Sequence, residues 1–208
     1  MKYSLLLSAI IMTMSIIGCN NKNDAAAEMA ATHDASTVLD AIFTRTSVRT
    51  YQEGKTVSPD TVEILLRAAM SAPTAVNKQP WAFVVLDTRE SLDSLAEVLP
   101  YAKMLHHAPL AIVTCGDMDK ALEGNGRDFW IQDVSAATEN MLIAAHALGL
   151  GAVWTGVYPD MERVEAVQKR LGMPANIIPL SVVPIGYPSG EHQPKDKWNP
   201  DAVRYNRW

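Results

Sequence analysis

One stretch, Phe129 to Val157 (FWIQDVSAATENMLIAAHALGLGAVWTGV), constrains the fold more than any other. Its first part reads as a helix of about twenty residues. At roughly 1.5 Å per residue that spans about 30 Å, the width of a small domain. Asp133 and Glu139 are its only charged residues, and Trp130, Ile131, Val134, Met141, Leu142, Ile143, Leu148 and many alanines leave no broad polar face. A helix that is apolar nearly all round is expected to be buried on more than one side. Gln132, Ser135, Thr138, Asn140 and His146 rule out a lipid span, so its surroundings must be protein. Gly149 is expected to cap it, with Gly151–Gly156 following as a short extended segment. A plain core helix satisfies the same pattern, and the rest of the chain must decide.

The totals set the frame. With 208 residues, 48% hydrophobic and 20% charged, the chain has material for one globular domain with a full-sized core. A formal net charge of -5, with no Lys/Arg-dense stretch, argues against nucleic acid as a partner.

Met1–Gly18 carries one positive charge, Lys2, then an apolar run from Leu5 to Ile17 that stops at Gly18-Cys19. The run is short and cleanly terminated, which fits a secretory signal. A small residue directly before cysteine resembles a bacterial lipobox. That resemblance implies cleavage before Cys19, lipidation of Cys19, and a place in the cell envelope, anchored to the membrane and facing the periplasm or exterior. Residues 19–37 are polar and alanine-rich without an apolar face and read as a flexible tether. Residues 38–208 then form the domain. The other cysteine, Cys115, lies in Leu110-Ala-Ile-Val-Thr-Cys115, a buried strand, and reads as a small core residue.

Val38, Leu39, Ile42 and Phe43 form one apolar helical stripe. It runs into Arg45-Thr-Ser-Val-Arg49, two guanidinium groups with two hydroxyls between them. This set suits a phosphate or an electron-rich heterocycle, and equally suits a solvated helix end. Ser58-Pro59 opens a helix with Val62, Leu65, Leu66, Ala69 and Met70 on its buried face. Pro73-Thr-Ala-Val-Asn77-Lys-Gln-Pro80 makes an ordered loop before the strand Trp81–Leu86. Its amides and hydroxyls could read the polar edge of a ring, or simply make turns. His106 and His107 have no carboxylate or further histidine at a ligand spacing, so surface or capping roles are expected and no metal site is assigned. Asp160 should cap a helix ending at Gly172. Ile177–Ile185 reads as a strand whose Pro179 and Pro184 suggest an edge position or bulges. In the tail, Lys195 and Lys197 would point to one side of an extended segment, as a phosphate clamp or as solvated charges.

These pieces, in this order, resemble the nitroreductase family of FMN-dependent oxidoreductases. The carriers are RTSVR at 45–49, AP followed by N-x-QPW at 72–81, QDVSAATENMLIAAHALGLGAVWTG at 132–156, and PIGYP with YNRW in the tail. The resemblance implies an α+β fold, a central mainly antiparallel sheet flanked by helices, in an intertwined homodimer with FMN at the interface. By the same resemblance Arg45, Thr46, Ser47 and Arg49 hold the phosphate, ribityl and pyrimidine side. Asn77 bonds the ring edge, Pro73, Thr74 and Ala75 reach the flavin of the other subunit, and Lys195 and Lys197 meet the phosphate. Trp154, Thr155 and Gly156 lie along the ring. Thr74 and Ala75 stand where some members carry serines. No catalytic acid, base or nucleophile is implied. The implied activity is ping-pong reduction of nitroaromatic, quinone-like or related small aromatic acceptors, with NAD(P)H as donor. Family relatives with other flavin chemistry, such as reductive dehalogenation or flavin conversion, and a flavin-binding lipoprotein without redox use are the alternatives. An envelope location sits uneasily with NAD(P)H, which is scarce outside the cytoplasm.

Overall fold

Residue spacing and the pattern of buried positions build the domain around one sheet. The computed structural model describes residues 35–208; the signal segment, Cys19 and most of the tether lie outside the described residues. Helix α1 (Ala35–Thr44) opens inside the stretch read as tether, so residues 35–37 are helical. α2 (Pro59–Met70) follows, then β1 (Trp81–Leu86), α3 (Arg89–Val98), β2 (Leu110–Asp117) and α4 (Phe129–Ala147). Two short strands, β3 (Gly151–Ala152) and β4 (Thr155–Gly156), lead to α5 (Met161–Leu171) and β5 (Ile177–Gly186).

The five strands form one sheet in the order β1-β2-β5-β3, with β4 also on β5, and every pairing is antiparallel. Neighbouring residues of a strand face opposite sides. Val113 and Val182 therefore join Leu92, Leu95, Leu105 and Val167 in a core under α3 and α5. Ile112 and Val183 join Leu65, Met141, Leu142 and Ile185 in a second core under α2 and α4. Both faces of the sheet are covered, which is why β2 reads as a continuous apolar run. The hydroxyls buried at the centre satisfy each other. Thr114 and Ser181 are 2.8 Å apart across β2 and β5, Thr138 Oγ1 is 3.1 Å from Thr114 Oγ1, and it also donates to the Val134 carbonyl at 2.7 Å.

The capping expectations hold. Ser58, Thr88 and Asp160 accept backbone N–H groups of Thr61, Ser91 and Arg163. After α4, Gly149 has φ 73°, its N–H donates to the His146 carbonyl at 2.9 Å, and the Leu150 N–H reaches Ala145 at 2.8 Å. This is a Schellman closure that only glycine adopts without strain. His106 Nδ1 pairs with Asp93 at 2.8 Å, and Cys115 is fully buried in β2.

Two expectations are corrected. β5 is the central strand, not an edge: β2 runs along one side of it and β3 and β4 along the other. Its register against β2 shifts between Thr114 and Cys115, where Cys115 faces Pro179, so the bulge is present. Met70 is exposed and does not belong to the buried face of α2. The stripe of Val38, Leu39, Ile42 and Phe43 on α1 is also exposed.

Candidate active site

The segment after α1 is fixed before any ligand is considered. Val48 N–H donates to the Ala152 carbonyl at 3.0 Å, and Ser47 forms a parallel bridge with Ala152. Gly151 makes this approach possible, since a Cβ there would lie 2.5 Å from the Val48 side chain. Tyr51 locks the other end, its buried hydroxyl lying 3.0 Å from the Val48 carbonyl and 3.2 Å from that of Pro184. Burial raises the Tyr51 pKa well above the usual phenol value, more than the nearby Arg49 lowers it.

Beside these anchors the polar side chains of 45–49 face a common cavity. Arg45, Thr46, Ser47, Arg49, Lys195 and Lys197 line a cavity of about 220 Å³. Four of the six are cationic, two are hydroxyl-bearing, and none is acidic. Arg45 is held by Glu139 on α4, with Nε 3.1 Å from Oε1. About two turns further along α4, His146 Nε2 lies 2.8 Å from Thr44 Oγ1. The lysines, in a stretch without regular structure, line this cavity together with the 45–49 segment.

Arg49 also lines a second, open cavity of about 390 Å³. Its floor is the β3–β4 segment, Trp154-Thr155-Gly156, and its outer wall is Tyr101 and Arg163. Thr155 spends its hydroxyl on the Val182 carbonyl at 2.5 Å, so its contribution to the cavity is backbone. Gly156 has nothing within 4 Å of where a Cβ would stand. Arg49 therefore lines both cavities, the cationic one and the strand-floored one.

The loop residues are elsewhere. Pro73, Thr74, Ala75 and Asn77 line neither cavity. The loop is nonetheless built: Ala75 N–H donates to Asp133 Oδ1 at 2.8 Å, and Gln79 N–H donates to Thr74 Oγ1 at 3.0 Å. Asn77 Oδ1 accepts from Gln79 Nε2 at 3.1 Å. Val76, Asn77 and Gln79 all have positive φ, 45°, 55° and 50°.

Four residues of consequence escaped the sequence reading. Asp133 and Glu139 had a signal, since they are the only charges in an otherwise apolar helix. Tyr101 and Arg163 had none, because only packing brings them together.

The nitroreductase family model matches residues 42–100 and 93–187, which contain the sheet, the 45–49 segment and the strand floor. A protein of Methanothermobacter thermautotrophicus, described as "Putative NADH dehydrogenase/NAD(P)H nitroreductase", is 45% identical over 171 residues, covering 82% of this chain and 87% of its own. The chain belongs to the nitroreductase family. Among solved structures, one of that same description from Bacteroides thetaiotaomicron is 46% identical, with TM-score 0.78, covering 85% of this chain and all of the other. An FMN-dependent nitroreductase of Clostridium difficile has TM-score 0.74 at 27% identity, covering 82% and 99%. The α+β fold with its antiparallel sheet is that of this family, and the nitroreductase-family chain described here is an oxidoreductase.

Proposed function

We propose that this chain is an FMN-dependent oxidoreductase that reduces nitroaromatic, quinone-like or related small aromatic acceptors in a ping-pong cycle with NAD(P)H as donor. The observation that carries this reading is the pair of cavities that share Arg49, one cationic and one floored by a strand. A cationic cradle of guanidinium, ammonium and hydroxyl donors, with Glu139 holding Arg45 from α4, fits a phosphate monoester, because guanidinium forks match oxygen pairs. A strand floor offering backbone, with an open face above it, fits a flat ring. FMN carries both groups on one molecule and supplies, when bound, the hydride-accepting and hydride-donating chemistry.

The chain's own residues then bind and orient. Arg45, Lys195 and Lys197 neutralise the phosphate, with Thr46 and Ser47 as donors. Arg49 lines both cavities, where its positive charge favours the anionic form of a reduced ring. Trp154, Thr155 and Gly156 present backbone along the ring. No general acid or nucleophile is assigned.

Pro73, Thr74, Ala75 and Asn77 are assigned to the flavin held by a second copy of the chain, which makes the working unit a homodimer. The exposed α1 stripe supports this: Ile42 and Phe43 form, with Trp198 across from them, a groove of about 710 Å³ beside the cradle. From the sequence alone we also propose that Cys19 is lipidated and that the domain stands in the cell envelope. The donor is the point where that location matters, and relatives described as an NAD(P)H nitroreductase and as an NAD(P)H-dependent FMN reductase support the usual one.

Purified protein is expected to be yellow, to hold about one FMN per chain, to run as a dimer in light scattering, and to bleach with NADH or NADPH. A colourless protein that refuses added FMN would falsify the reading. Radiolabelled palmitate incorporation, lost in Cys19→Ser, tests the anchor.

A further inference from the structure

The strand-floored cavity is also lined by Tyr101 and Arg163, from elements far apart in sequence. Tyr101 is 73% exposed, on a turn fixed by the Ala102 N–H to Leu99 carbonyl bond at 3.1 Å. Arg163 Cζ lies 5.1 Å from the Tyr101 ring centroid, a cation–π contact. The guanidinium is held from the other side as well, with Nε 3.0 Å from Asp160 Oδ2. Asp160 is committed twice over, since its other oxygen accepts the Arg163 N–H at 3.3 Å as the α5 cap.

A single exposed tyrosine or arginine would mean nothing. Here both line the cavity whose floor is Gly156, and both also line a narrow crease with Leu99, Ala102 and Thr155 beside that glycine. Arg163 is anchored through Nε, so its outer nitrogens remain to meet a ligand. The charges on this cavity are Arg49, Arg163 and Asp160, a net positive set, and Glu162 lines an adjoining pocket that Asp160 and Arg163 also line. The proposed phosphate cradle is the other cavity, on Arg45, Lys195 and Lys197, and Arg163 does not line it.

We propose that Tyr101 and Arg163 form an outer acceptor subsite that selects flat aromatic acceptors carrying a carboxylate or similar anionic group. The ring of the acceptor lies against Tyr101 and its anion meets the Arg163 fork, which leaves the reducible group toward Gly156. This rests on the proposed flavin chemistry at the same site. An anionic group of the nicotinamide donor could use the same fork, and the test separates the two sources.

The FMN-loaded enzyme is assayed with 4-nitrobenzoate and with neutral 4-nitrobenzamide, and calorimetry follows binding of the non-reducible pair 4-toluate and 4-toluamide. Arg163→Gln is expected to lower kcat/KM for 4-nitrobenzoate about tenfold, the worth of one charge-assisted contact, and to weaken 4-toluate by a similar factor. The amide partners and the stopped-flow rate of flavin reduction by donor should stay within about twofold. Arg163→Lys should restore much of the carboxylate preference, and Tyr101→Leu should weaken both acceptors alike. Equal loss on acid and amide overturns the subsite, as does no loss on either. Slowed reduction by donor with unchanged acceptor selectivity assigns the fork to the donor and overturns the proposal too. If the wild type retains no FMN, the functional reading fails and takes the subsite with it.

Discussion

The carboxylate of Asp133, only 6% exposed, accepts the backbone N–H of Ala75 at 2.8 Å. This bond joins the first turns of α4 to the loop in which Val76, Asn77 and Gln79 all have positive φ. Left-handed backbone costs about 1–2 kcal/mol per non-glycine residue, so something must hold the loop. Asp133→Ala removes the acceptor and should lower stability by about 1–3 kcal/mol, read as an earlier urea midpoint. Amide exchange at 75–79 should quicken while the sheet core stays protected. Asp133→Asn keeps an acceptor oxygen and should cost less. An alanine variant with unchanged exchange at 75–79 would show that the loop holds itself.

Arg45 and Glu139 form another long-range tie of the same helix, 3.1 Å apart. Arg45→Ala should reduce FMN affinity by about tenfold or more, because a charged bidentate contact to phosphate is lost. Glu139→Gln leaves the guanidinium present but less well aimed, and its effect should be smaller. Flavin content after gel filtration measures both; Arg45→Ala protein that keeps full flavin removes Arg45 from the phosphate site.

Burial pushes the Cys115 thiol up from 9.0 to about 12. The folded chain therefore keeps this proton more tightly than the unfolded one. The resulting stability is fully present below pH 9 and is lost as pH rises from there toward 12. Tyr51, raised in the same direction, adds to the alkaline loss. Urea titrations above pH 9 should show falling midpoints, with a shallower fall in Cys115→Ala. Ellman's reagent at neutral pH should find Cys115 inert until the protein unfolds; prompt reaction in the native state contradicts its assignment to the core.

Local chemistry made much of the fold legible. Serine, threonine and aspartate caps, the Gly149 closure and the β-branched runs each act within a few residues. The central place of β5 was hidden by its prolines, and geometry explains why they are tolerated. In a strand a residue's N–H and C=O point to the same edge. The Pro184 carbonyl meets the Val153 N–H at 3.4 Å, in the gap between β3 and β4, so its missing N–H would have faced that interrupted edge. Pro179 sits where the β2 register shifts. In the site, Arg45–Arg49 and the two lysines were readable as charge-rich motifs. Tyr101 and Arg163 were not, because α3 and α5 must pack on one sheet face before the two can meet.

Gly151 and Gly156, five residues apart, separate packing from binding. At Gly151 an added Cβ would sit 2.5 Å from Val48, whose N–H is tied to Ala152. Gly151→Ala must displace Val48, and with it the backbone that carries Arg45 to Arg49. It should cost about 1–3 kcal/mol of stability as an overpacked site and weaken FMN as well. At Gly156 a Cβ meets nothing, and φ is not in the left-handed range. Gly156→Ala should leave the flavin-free protein's urea midpoint within about 0.5 kcal/mol of the parent, as a substitution that strains nothing. If Gly156 carries the ring, the new methyl occupies space the flavin needs, and FMN affinity should fall without loss of fold. Stability measured on flavin-free protein, beside fluorescence titration of FMN, resolves the pair. Full FMN affinity in Gly156→Ala would move the ring off this strand, whatever Gly151→Ala does.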